Sequence, residues 1–135
     1  MRADVHTDLT QRVIGAAIEV HRHTGPGLLE STYEHLLVHE LLSRGMHAVH
    51  QVELPVVYKS QRVECGYRID LIVEDACVVE IKAVEKLLPV HEAQLITYLR
   101  LSGLPVGLLM NFNVPVLRDG IVRRVLSPLP QPPRA

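Results

Sequence analysis

Tyr67-Arg-Ile-Asp70-Leu-Ile-Val73-Glu-Asp-Ala-Cys77-Val-Val-Glu80-Ile-Lys82 decides the fold of this chain. Two apolar runs flank Glu74-Asp75-Ala76, which reads as a tight turn, so the segment predicts two antiparallel strands. Glu80 and Lys82 stand two residues apart and therefore share one strand face. Asp70 is a third charge inside an otherwise apolar strand. The turn folds its strand back, which predicts that Asp70 and Glu80 meet at one end of the hairpin. Burying such charges without a partner costs several kcal/mol per ion. A cross-strand ion pair on a solvated sheet face is the plain alternative. Two adjacent carboxylates instead repel unless a cation lies between them, and their hard oxygens suit Mg²⁺ or Mn²⁺.

Outward from that segment, the spacing predicts a helix capped by Asp8 with Gln11 as its capping-box partner, ending at Thr24-Gly25-Pro26-Gly27. A second helix is expected from Leu28 to Arg44, with Gly45 as its stop. Val49–Tyr58 and Arg62–Val73 read as strands around a Lys59-Ser60-Gln61 turn. Cys77–Ala83 completes a three-stranded meander. Pro89 opens a helix from Val90 to Ser102. Val106–Asn111 is an apolar strand expected parallel to the Glu80 strand, since a helix crossover separates them. Ile121–Leu126 is expected to pair with Val114–Leu117 as a terminal hairpin around Asp119-Gly120.

The 135 residues fit one domain, with a core over about residues 8–126 and a Pro-rich tail at 127–135. With no Trp and one Phe, the core must be aliphatic. No apolar run reaches the roughly 18 residues of a membrane span, and the N-terminus lacks a signal-peptide core, so a cytoplasmic protein is expected. Cys65 and Cys77 are expected to be buried, reduced thiols. A net charge of −1 argues mildly against a general nucleic-acid coat. Arg62, Arg68, Lys82 and Lys86 are the basic residues available to line a phosphate path.

At this point the sequence resembles the PD-(D/E)XK nuclease superfamily. Asp70 followed by Glu80-Ile81-Lys82 matches its D-(X)n-ExK pattern, and the element order resembles its αβββαβ core. The resemblance implies a restriction-endonuclease-like α/β fold: a mixed central sheet flanked by helices, with an extra N-terminal helix and a C-terminal hairpin. More narrowly, Gly27-Leu-Leu-Glu30-Ser-Thr-Tyr33 matches the motif of the GxxExxY family. Matching stretches continue through Gln51–Tyr58, Gln94–Leu99 and Gly107–Phe112. The resemblance implies a nuclease acting on nucleic acid, DNA ahead of RNA, with Mg²⁺ or Mn²⁺. It implies catalytic roles for Asp70, Glu80 and Lys82, and metal contacts from Asp70, Glu80, the Ile81 carbonyl and Glu30. The proline that often precedes the Asp is absent; Ile69 stands there.

Gln94 and Tyr98, at i and i+4, share a helix face with His91 nearby. QxxxY after ExK resembles the RecB-like branch, where it supports the site and contacts DNA. The plain reading is a half-buried Tyr98 and an exposed Gln94. Tyr33 neighbours Glu30 on its helix, either as support for the site or as core with its hydroxyl on a site carboxylate. His35 and His39 lack a third zinc ligand and read as an exposed helix face. A catalytically silent binding or accessory module with the same fold is the competing function. A homodimer is one expectation, because many small nucleases pair two sites to cut two strands.

Overall fold

The computed structural model describes residues 6–126, apart from the side chain of residue 65. The Pro-rich tail and the state of the Cys65 thiol lie outside what it describes. Cys77 is a free, buried thiol, and burial pushes its pKa up to about 12.

Helix α1 (Thr7–Thr24) and helix α2 (Glu30–Ser43) precede strands β1 (Ala48–Tyr58), β2 (Gln61–Val73) and β3 (Cys77–Lys82). Helix α3 (Pro89–Ser102) crosses to β4 (Val106–Asn111), and a 3₁₀ turn at Leu117–Gly120 leads into β5 (Ile121–Val125). One five-stranded mixed sheet results, in the order β1-β2-β3-β4-β5. The β3–β4 pair is parallel, as its helical crossover requires, and the other pairs are antiparallel.

Side-chain alternation divides the core between the two sheet faces. Cys77, Val79 and Ile81 join Val13, Ala17, Tyr33, Leu37 and Leu41 in the cluster built on α1 and α2. Val78 and Leu109 pack with Leu95, Tyr98 and Leu99 of α3. Glu80 follows Val78 in the alternation, so it belongs to the α3 side. Gly107 lets α3 lie close on β4: a Cβ there would come within 2.7 Å of Leu95 Cδ1. Gly107→Ala is therefore expected to cost about 1–3 kcal/mol by overpacking, read as a lower urea midpoint at unchanged m.

Three expectations need correction. Asp8 does not cap α1. Thr10 N–H donates to His6 O (3.0 Å), so the helix begins before Asp8, which sits in the first turn facing the positive end of the dipole. Helix α2 starts at Glu30 rather than Leu28, because Gly27 takes a φ of 107° and Leu29 stays extended. The hairpin of 114–117 with 121–126 does not form. Pro115 has no N–H to give a ladder, and β5 pairs instead with the open edge of β4, from Met110↔Ile121 to Val106↔Val125.

Candidate active site

The ladder between β2 and β3 is short: Val73↔Cys77, Ile72↔Val78 and Leu71↔Val79. The next rung would place Asp70 opposite Glu80, and there the backbones part. Side chains take over the amides left unpaired. Asp70 N–H donates to Glu80 Oε1 (3.1 Å), and Ile81 N–H donates to Asp70 Oδ2 (2.8 Å). Each carboxylate thus satisfies a main-chain donor of the other's strand, as buried amides demand. One oxygen of each carboxylate is fixed by this exchange.

The electrostatic cost of the arrangement is large. Glu80 is 4% exposed. Burial, and after it the Asp70 charge, push its carboxyl up to about 8, against the Asp70 amide and the Lys82 ammonium. Asp70 also lies above the usual carboxylate range, chiefly through burial. The Ile81 amide opposes that shift, and the charges of Glu34 and Glu30 add to it. A divalent cation would relieve both, so the hard-oxygen pair fits Mg²⁺ or Mn²⁺ chemically. Among the described residues no three His, Cys, Asp or Glu side chains form a metal-holding group as they stand, and Glu30 here spends one oxygen on the Ala83 amide.

Lys82 ends β3 beside Asn111 of β4 and is half-buried. Its backbone is fixed from several directions. Phe112 N–H donates to Lys82 O (2.9 Å), and Glu30 Oε1 accepts from the Ala83 N–H (3.1 Å). Asn111, 2% exposed, accepts from the Val84 and Asn113 amides (3.1 and 3.2 Å) and donates to Val84 O (2.9 Å). Asn111 was not among the expected site residues. The signal was present all the same: it is the one polar residue of a buried apolar strand.

Glu34 and Gln51 were also missed. Glu34, one helical turn after Glu30, is only 6% exposed and accepts from Gln51 Nε2 at 2.7 Å. Glu30, Ser31, Glu34, Gln51 and Asp70 line a cleft of about 180 Å³. A larger hollow of about 510 Å³, between α1 and the segment Pro115–Arg118, carries no carboxylate and lies apart from this chemistry.

Gln94 Nε2 donates to the Tyr98 hydroxyl (2.9 Å), so the two act as one unit. Tyr98 is buried, rather than half-buried, and Gln94 is partly covered. Burial and then the Glu80 charge raise the Tyr98 hydroxyl pKa, while Gln94 lowers it. The exposed ring of Tyr67 meets Tyr98 edge-on at 6.2 Å. His91 is tied to the start of α3, where its Nδ1 accepts from the Leu88 N–H (2.9 Å).

Tyr33 does not reach a carboxylate. Its fully buried ring stacks on Phe112 at 4.5 Å, and its hydroxyl donates to Gly25 O (2.6 Å) while accepting from Leu28 N–H (3.1 Å). These bonds tie Tyr33 to the loop that precedes Glu30. Arg62 and Arg68 are exposed and stand beside Glu64 and Glu53, as surface ion pairs of little strength. His35 and His39 are exposed, as expected.

A family model described as the PD-(D/E)XK nuclease superfamily matches residues 7–125, a span that takes in every element above. No curated protein and no solved structure matches the chain.

Proposed function

The chain belongs to the PD-(D/E)XK nuclease superfamily, and from that premise we propose that it hydrolyses phosphodiester bonds of DNA with Mg²⁺ or Mn²⁺, in the cytoplasm, as a GxxExxY-type member with a RecB-like helix α3. The observation that carries this reading is the opposed pair of Asp70 and Glu80 at the point where β2 and β3 part, with Lys82 two residues on. In this reading Asp70, Glu80, the Ile81 carbonyl and Glu30 hold the cation. When bound, it supplies Lewis acidity and lowers the pKa of a water. The Lys82 ammonium orients that water or stabilises charge gathering on the phosphoryl oxygens. A water oxygen bonds to phosphorus while the bond to the leaving oxygen breaks, giving an alcohol and a phosphate monoester. Gln94 and Tyr98, held as a unit, position the substrate backbone. No described helix is long and apolar enough to cross a membrane.

The test is incubation of supercoiled plasmid and of linear single- and double-stranded DNA and RNA with the chain. Cleavage is expected with Mg²⁺ or Mn²⁺, and none with EDTA or in the Glu80→Ala variant. Cleavage that persists in EDTA sinks the reading. One observation favours the silent-module alternative: among the described residues no three His, Cys, Asp or Glu side chains stand close enough together to hold a metal ion. Tight nucleic-acid binding without cleavage under any divalent cation selects it. A homodimer that places two sites on two strands is part of the proposal, and light scattering during cleavage tests it.

A further inference from the structure

Gln51 has a backbone that a strand residue seldom adopts. Its φ is 53°, in the left-handed region, inside β1. The ladder to β2 runs from Ala48↔Val73 to His50↔Leu71, skips one rung, and resumes at Val52↔Ile69. The skipped rung is Gln51 against Asp70. Glycine, asparagine or aspartate would suit that conformation better, so a glutamine there asks for a compensating contact. The structure supplies one. Gln51 Nε2 donates at 2.7 Å to Oε1 of Glu34, which is 6% exposed. The other Glu34 oxygen lies 3.6 Å from His50 Nδ1. Gln51, Glu34 and Asp70 line the same cleft, and the Glu34 charge acts on Asp70.

From these contacts we infer that Gln51 is a positioning residue, whose amide holds the Glu34 carboxylate against the cleft wall facing Asp70. The unusual backbone turns the Gln51 side chain toward α2 instead of leaving it in the sheet alternation. Glu34 is thereby kept from swinging away from the cleft, and its carboxylate borders the cation position. This rests on the reading of Asp70 and Glu80 as cation ligands. It adds that affinity for the cation depends on a residue of β1 that need not touch it.

The test reads Mn²⁺ binding to the full chain by titration calorimetry, without nucleic acid, beside the melting temperature of each variant. Gln51→Gly relieves the backbone and removes the amide. It is expected to bind Mn²⁺ about tenfold more weakly, the lower end of what supporting residues of a metal site contribute. Gln51→Asn, whose shorter amide tolerates the same φ, is expected to lose as much and covers the case in which the glycine variant fails to fold. Glu34→Gln should weaken binding similarly, and the double variant Gln51→Gly/Glu34→Gln should lose nothing further. Asp70→Asn is the control. Wild type that binds Mn²⁺ through Asp70 while both Gln51 variants bind within twofold of it overturns the role of Gln51 and leaves the site standing. Fully multiplicative effects of Gln51 and Glu34 overturn it as well. Wild type that binds no Mn²⁺, or binds equally after Asp70→Asn, removes the site and the inference together.

Discussion

Glu80→Gln is expected to abolish most of the loss of thermal stability that the metal-free chain suffers between about pH 5 and pH 8. The Glu80 carboxyl is raised from 4.5 to about 8 in the folded chain. Across that window the folded state keeps a proton that the unfolded chain has released. Unfolding then releases protons, so stability falls as pH rises, and the loss is complete above about 8. Asp70 is displaced in the same direction and adds to the slope. Each tenfold difference in proton affinity between the folded and unfolded chain is worth about 1.4 kcal/mol, which at this chain length moves the melting temperature by roughly 4 °C. Glutamine keeps the side chain's shape and its carbonyl acceptor for the Asp70 amide, while the titration disappears. Melting curves in EDTA from pH 5 to 9 read the effect, and parallel slopes for wild type and variant would contradict it. Under the proposed function, Mg²⁺ competes with the proton, so its stabilising effect should grow from pH 6 to 8 in wild type and be small in Glu80→Gln.

How much of this was legible in the sequence follows from the range of each interaction. Strands β3 and β4 were readable because each is a short apolar run, broken only by Glu80 and Lys82 in β3 and Asn111 in β4, between turn or helix signals. The meeting of Asp70 and Glu80 was readable for the same reason: a short turn fixes the register, and the residues opposite follow by counting. The start of helix α1 differs from the sequence expectation because Asp8-Leu-Thr-Gln11 carries a capping pattern that the backbone satisfies two residues earlier, through the His6 carbonyl. The partner of β5 was not legible, since pairing with β4 depends on an edge that exists only once the sheet is assembled. Glu34 and Gln51 escaped for a similar reason. Nothing in Glu30-Ser-Thr-Tyr33-Glu34 says that the second carboxylate is the buried one, and a left-handed glutamine inside a strand has no local signature. Tyr33 shows the converse: the residues around it match a motif, yet its hydroxyl serves the loop backbone at Gly25 and Leu28 rather than the carboxylates.

The largest effect on turnover is expected from Lys82→Ala, which should lower kcat by about 10²–10³-fold, the scale of removing one group that stabilises transition-state charge. The main chain that presents Lys82 is held by three contacts that do not involve its side chain: Phe112 on its carbonyl, Glu30 on the Ala83 amide, and Asn111 across Val84. Truncating the side chain therefore leaves β3, and with it Glu80 and Asp70, in place. Mn²⁺ affinity should rise or change little, since an ammonium near two carboxylates repels a cation as well as lowering their pKa values. The separation is the diagnostic: kcat falls while cation affinity and KM hold within a few-fold, as for an interaction made mainly in the transition state. Lys82→Arg keeps the charge but replaces a compact ammonium with a broad fork, so it should recover only part of the rate. A fall in Mn²⁺ affinity matching the fall in rate would instead make Lys82 a structural counter-charge. Unchanged turnover would remove it from the chemistry.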